Sequence, residues 1–369
     1  MPNRTRHNVC RCTTPAGPCP TTRRVRTALL AMAAWFGGPG AAMASSDALQ
    51  ACLLRALRDA APTTTVAELR QGCQAEATAP AQKLPPAVVD LLAKAPEEQS
   101  VVERRTASEL RAVSEPFALL PHRPNYLLPL THHERPSGSE TTAQAFKSIE
   151  SHFQISFKFA LSRPWFDGRM VPFFGYTGRS WWQVYDSERS RPFREYNHEP
   201  ELLLAMPSSQ GLPWGWRHRL TMLGFNHQSN GREVPASRSW NRLTAEFYAD
   251  QGQHAWSSLR VWQRIPERAK RSPTDSEGDD NPLITRYLGH AEWRLGRASP
   301  DGHNLTLMLR RSLHRQGHGA VQLDWSHPAG WSPSLRAYAQ VFSGYGDSLI
   351  DYNHRIQRIG IGLMLNDWF

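Results

Sequence analysis

The sequence predicts an all-β protein, rolled into a transmembrane barrel and preceded by a short helical extension. Three observations carry that prediction. From about Pro116 onward, apolar and aromatic residues alternate with polar ones over segments of roughly ten residues, the period of strands with two unlike faces. Turn-like clusters separate these segments: Arg135-Pro136-Ser137-Gly138, Ser272–Asn281, Ser299–Asn304 and Gly344–Asp347. In the final run, Ile359 to Phe369, odd positions are mostly large and apolar, and even positions hold Gly360, Gly362, Met364, Asn366 and Trp368. One face of that strand is greasy enough for lipid, and the run ends on an aromatic residue, as in the last strand of a membrane barrel. The inner strand of a soluble sandwich is the alternative. The thirteen tryptophans favour the membrane, where aromatic side chains gather at the two interfaces.

Composition removes other classes. The chain has 369 residues, 40% hydrophobic and 21% charged, which excludes a disordered chain. Its longest apolar run is Ala28–Phe36, nine residues, against the roughly 20 that a membrane-crossing helix needs. A mean hydropathy of −0.53 fits a barrel, because barrel strands show lipid only every second side chain.

Taken in order, residues 1–44 read as a signal peptide. Arg23, Arg24 and Arg26 precede the apolar run, and Ala42-Met43-Ala44 supplies a small-residue cleavage site. Gly37, Gly38, Pro39 and Gly40 argue against a core helix there. This leader holds six arginines and no acid, so its removal takes the formal charge from +10 to +4. Most of the basicity therefore belongs to the leader, and no aromatic–basic binding motif appears, so no nucleic-acid partner is expected. Residues 45–77 read as a helical hairpin. Cys52 and Cys73 remain after cleavage, an even pair suited to one disulfide in an oxidising compartment. Residues 78–115 are rich in Ala and Pro and read as a linker, with a short helix expected over Val101–Val113. Residues 116–369 form the barrel.

The chemistry concentrates in Leu223-Gly224-Phe225-Asn226-His227-Gln228-Ser229-Asn230-Gly231. On a strand Leu223, Phe225, His227 and Ser229 share one face. Leu and Phe assign that face to lipid. A His beside a Ser at this spacing is a base poised on a nucleophile. The next segment, Arg238 to Tyr248, puts Asn241 on the outward face with Leu243 and Phe247. If the strands are neighbours, Asn241 stands beside His227 and completes a triad. A neutral Asn suits a lipid-facing site, where a carboxylate would cost more to desolvate. The bland reading is a hairpin turn at Asn230-Gly231 with polar residues near a membrane rim.

The run His227-Gln228-Ser229-Asn230-Gly231-Arg232, followed by Ser237-Arg238-Ser239-Trp240-Asn241-Arg242, resembles the active-site hairpin of the outer-membrane phospholipase A family. Ser180-Trp181-Trp182-Gln183, Pro192-Phe193-Arg194-Glu195, Asp279-Asp280-Asn281-Pro282, Ser343 to Tyr352 and Leu363-Met364-Leu365-Asn366-Asp367 extend the resemblance, in family order, from about Pro116 to Phe369. It implies a twelve-stranded antiparallel barrel in the bacterial outer membrane. Sequence length agrees, at about 21 residues per strand and connection. It implies a calcium-dependent hydrolase of the acyl esters of phospholipids and lysophospholipids. In that reading Ser229 attacks, His227 takes its proton, Asn241 orients His227, and the Gly231 N–H stabilises the oxyanion. Calcium (Ca2+) is implied at the Arg232 carbonyl and the Ser237 hydroxyl, completed by the residue matching Ser190 on a second subunit, so activity goes with a homodimer. Asp280 matches one ligand of a further, monomer calcium site.

Two departures stand out. Val234 replaces the carboxylate that partners Asp280, and Gly178 replaces a glutamine buried at the family's dimer contact. Against the hydrolase stands a non-enzymatic barrel, a pore or structural protein, which would leave His227, Ser229 and Asn241 facing lipid at a cost. The pair His314 and His318, four apart, is flanked by Gly317 and Gly319, which oppose the helix that such a zinc spacing requires.

Overall fold

The structure is a computed structural model. It describes residues 64–76, 86–113, 118–134, 146–272, 274, 275 and 277–368, together with Leu53 and Leu57. The leader, Cys52, most of the first half of the helical hairpin and the terminal Phe369 lie outside the described residues. The chain divides into two units, 1–80 and 81–369.

In the first unit, α1 (Val66–Glu76) is the second helix of the expected hairpin. Thr65 caps it reciprocally: its N–H and hydroxyl donate to Glu68, and the Glu68 N–H donates to its hydroxyl. Cys73 is buried and disulfide-bonded.

The second unit contains twelve antiparallel strands: β1 (Asn125–His133), β2 (Ile149–Ala160), β3 (Val171–Trp182), β4 (Phe193–Pro207), β5 (Arg217–Ser229), β6 (Ser239–Gln251), β7 (Ala255–Ile265), β8 (Ala291–Ala298), β9 (Asn304–Arg311), β10 (Gly319–Pro328), β11 (Arg336–Tyr345) and β12 (Arg355–Asn366). Each pairs with its sequence neighbours, and β12 pairs back onto β1, which closes the barrel. Leu120-Pro121 adds a short rung on β2. No described helix is long and apolar enough to cross a membrane.

The two-residue alternation in the sequence becomes the two faces of the wall. Leu202, Leu223, Phe225, Leu243, Phe247, Ile359 and Ile361 face outward and exposed, while Met222, Asn226, Gln228, Arg242 and Glu246 face inward and buried. The lumen is filled by charged pairs. Glu201 meets Arg260 at 2.5 Å and Arg123 at 2.9 Å; Glu199 meets Arg242 at 3.1 Å and Arg260 at 3.4 Å. Buried charges survive only when paired and hydrogen-bonded in this way.

Three features depart from the sequence reading. The segment read as a linker contains α2 (Pro86–Ala93) and a 3-10 turn at Pro96–Glu98. The expected short helix is α3 (Val101–Ala112), started by a complete capping box between Ser100 and Glu103. It lies against the barrel end that carries the termini, where Arg219 bonds both Glu103 and Asp250 at 2.7 and 2.8 Å. A short helix α4 (Ile284–Leu288) interrupts the connection 266–290. The tryptophans also divide. Trp214 and Trp331 are exposed in turns at the termini's end of the barrel, whereas Trp181 and Trp240 are wholly buried. Indole area fills the interior as well as the interfaces.

Candidate active site

The connections 134–148, 183–192, 230–238, 266–290, 312–318 and 346–354 lie at the barrel end opposite the termini. Longer loops mark the extracellular end of such barrels. The candidate site sits on the outer wall just below that end, on the β5–β6 hairpin.

The register pairs His227 with Asn241 and Ser229 with Ser239. His227 Nδ1 and Asn241 Oδ1 stand 2.9 Å apart. Since an amide oxygen only accepts, Nδ1 carries the proton and donates, leaving Nε2 with its lone pair. Ser229 follows two residues on, on the same half-buried outer face. Its hydroxyl makes no hydrogen bond to another residue among those described. The Asn241 amide donates to Glu267 at 3.1 Å. Burial, with the Asp279 charge nearby, pushes the Glu267 carboxyl above the usual glutamate range. Glu267 was not anticipated from sequence, since a loop residue carries no strand period.

The turn is built by Asn230. Its Oδ1 accepts from the backbone N–H groups of Arg232 and Arg238 at 3.3 and 2.9 Å, and its Nδ2 donates to the Ala236 carbonyl at 2.9 Å. Gly231 follows with φ +63°, a left-handed conformation that glycine adopts without steric cost. Arg232 is anchored to Glu195 at 3.0 Å. Glu195 also accepts from the Ile350 N–H at 3.1 Å, which links the hairpin to the connection 346–354.

The residues expected at the calcium divide into two groups. The Ser237 hydroxyl donates to Asp280 Oδ2, and Lys270 holds Asp280 Oδ1 at 2.5 Å. Asn281 secures this loop by accepting the Ser239 N–H at 3.0 Å. Ser190 lies on the connection 183–192, exposed, with φ +56°. No hydrogen bond joins it to Ser237 or Asp280 among the described residues. The donor set (a backbone carbonyl, a hydroxyl and a nearby carboxylate) is hard oxygen chemistry that suits calcium. A hydroxyl that donates to Asp280 keeps its lone pairs for a cation. Val234 brings no carboxylate to a second site, and no group of three or more His, Cys, Asp or Glu residues fit for a metal occurs among the described residues.

Two neighbours that the sequence reading did not place at the site share the outer face, although Tyr176-Thr177 is itself a family-like pair. His198 on β4 pairs in register with Ser229, and the Tyr176 hydroxyl lies 2.7 Å from His198 Nδ1. Placing them beside Ser229 required the register of β4 against β3 and β5, which the period within one strand does not give.

Comparison with known proteins agrees with this architecture. A family model described as phospholipase A1 matches residues 102–365. The phospholipase A1 of Escherichia coli K12 is 36% identical over 268 residues, covering 71% of this chain and 86% of the relative. A Neisseria meningitidis relative is 39% identical over 259 residues, 67% of this chain and 65% of its own length, so the chain spans about two thirds of that protein. Among solved structures, outer membrane phospholipase A from Escherichia coli superposes with a TM-score of 0.61 at 36% identity, over 69% of this chain and all of that one. The outer membrane phospholipase dimer of Salmonella typhi with bound calcium gives 0.63 at 35% identity, over 71% and 97%.

Proposed function

The chain belongs to the phospholipase A1 family of outer-membrane β-barrels, and from that premise we propose that it hydrolyses phospholipid and lysophospholipid acyl esters with Ser229, His227 and Asn241. The observation that carries this reading is the His227–Asn241 hydrogen bond on the lipid face, two residues from Ser229. Polar groups facing hydrocarbon are costly and persist for function.

The acyl ester reaches the wall from the membrane. Ser229 Oγ attacks the carbonyl carbon while His227 Nε2 takes the hydroxyl proton. Asn241 Oδ1 holds Nδ1–H and fixes the ring's tautomer and direction. The Gly231 N–H faces the oxygen as it gains charge. Collapse breaks the ester bond, and His227 returns the proton to the departing lysophospholipid oxygen. Water, deprotonated by His227, then attacks the acyl-serine and releases the fatty acid with Ser229 restored. Calcium, when bound, supplies positive charge close to the developing oxyanion.

The Arg232 carbonyl, the Ser237 hydroxyl and a second subunit's counterpart of Ser190 are the proposed calcium ligands, which makes the active form a homodimer. Asp280 enters as the carboxylate that orients Ser237 and neutralises Lys270. Residues 1–44 are proposed to be removed on export, and Cys52 is proposed as the partner of Cys73. A pore is disfavoured by the paired charges that fill the lumen.

The test is fatty-acid release from phospholipid micelles by the detergent-purified protein, with calcium and with chelator. Ser229→Ala should lose release by on the order of a thousandfold or more, and chelator should do the same to the wild type. Equal release by wild type and Ser229→Ala would refute the nucleophile. Cross-linking in detergent should yield a dimer with calcium; full activity from a monomer would refute the dimer claim.

A further inference from the structure

We infer that His198 is a substrate-positioning residue that donates a hydrogen bond to the phosphate of the lipid headgroup, and that Tyr176, lying over Gly178, holds it in place. The inference rests on Ser229 as nucleophile and adds a recognition group beside it. Three observations converge. First, His198 pairs in register with Ser229 across β4 and β5, and its side chain is exposed on the same outer face. Its ring edge points at the turn: a Cβ built on Gly231 would lie 4.0 Å from His198 Cδ2, the ring carbon bonded to Nε2.

Second, the ring is held from its other edge. The Tyr176 hydroxyl meets Nδ1 at 2.7 Å. With the hydroxyl donating, Nδ1 is the acceptor and Nε2 carries the proton, on the part of the ring away from the tyrosine hydroxyl. Tyr196 stacks on the ring with planes 11° apart, and Phe193 stacks on Tyr196 at 4.2 Å. This aromatic ladder lies at the loop end of the wall, the level at which interfacial aromatics meet headgroups. A phosphodiester is the anion found at that depth, a few ångströms from the ester to be cut.

Third, the arrangement needs Gly178. Gly178 pairs in register with His198, and a Cβ there would stand 3.1 Å from the Tyr176 hydroxyl oxygen and 3.2 Å from Cε1. A side chain there makes the tyrosine ring give by a few tenths of an ångström, at the hydroxyl that meets the histidine. The position where the family resemblance implies a dimer-contact glutamine is thus, in this chain, the floor beneath a tyrosine.

The experiment compares kcat and KM on a diacyl phospholipid and on a monoacylglycerol of the same acyl chain, in calcium-containing micelles. Barrel folding is checked by gel mobility without heating. His198→Ala should cut kcat/KM on phospholipid about tenfold more than on the neutral ester. His198→Gln, which keeps an N–H donor, should recover most of that difference. Tyr176→Phe and Gly178→Gln should raise KM for phospholipid with little change in kcat. Equal losses on both substrates, no loss on either, or no recovery by His198→Gln would overturn the inference. The Ser229→Ala control separates the two levels: retained release there removes the nucleophile, whereas a failed His198 result leaves the nucleophile standing.

Discussion

The two faces of β4, β5 and β6 carry similar polar residues to different ends. Inside, Asn226 donates to Glu199 at 2.8 Å, and Arg242 lies between Glu199, Asn226 and the Trp240 ring. Arg242 thus draws on partners from β4 and β5 as well as from its own strand. Outside, His227 has Asn241, and Ser229 has no hydrogen-bonded neighbour among the described residues. The inner network is densely cross-linked and holds shape. The outer pair is sparse, and its spare valences are what a substrate can use. Polar residues in a barrel wall are therefore read by how fully they are engaged rather than by type.

Breaking the inner face should cost the most. Glu199→Leu leaves Arg242 and Arg260 buried without their shared acceptor, at about 3–5 kcal/mol of stability. Loss of unheated gel mobility at a lower temperature would measure it, and an unchanged transition would show that the network is dispensable. Next, Asn241→Ala should reduce kcat on the order of a hundredfold while the unfolding transition hardly moves, because the outer pair orients and does not brace. A stability loss matching that of Glu199→Leu would erase the distinction between the faces. Third, Lys270→Met removes a positive charge from Asp280, so calcium titrations should show tighter binding, on the order of tenfold. Unchanged affinity would separate the lysine from the cation site.

The smallest effect concerns pH. Glu267 is harder to ionise in the folded chain than in solution. Its ionisation therefore costs stability as pH rises from the ordinary glutamate range through the raised value. As pH falls through that same value, Glu267 takes a proton and the Asn241 amide loses a charged acceptor. Glu267→Gln does not titrate. Its activity at neutral pH should stay within about threefold of wild type, and the ratio of mutant to wild-type activity should climb as pH falls. A flat ratio would show that Glu267 does not act through Asn241.

Alternation made the wall legible from sequence, because a period of two assigns a face without any knowledge of neighbours. The same period put His227, Ser229 and Asn241 on one outward face, all three being confined to one hairpin. What alternation cannot supply is the register of one strand against the next. His198 meets Ser229 through a pairing of β4 and β5 set by the connection 208–216. Asp280 meets Ser237 across 43 residues through a loop with no period at all. Composition also misled in one respect: Trp181 and Trp240 counted toward an interfacial belt but are buried in the wall's interior. A residue count gives no depth.

Helix α3 has a consequence for the order of assembly. Its Arg105 donates to the Trp368 carbonyl just past the last strand, and to the Pro121 and His122 carbonyls just ahead of the first. Those acceptors come together only when β12 has met β1. The segment that precedes the barrel in sequence therefore clasps the seam between first and last strands, and it finds its full set of partners only on a closed ring. A chain lacking residues 81–112 should still zip its hairpins but should open at the β1–β12 seam first, which hydrogen exchange on those two strands would reveal.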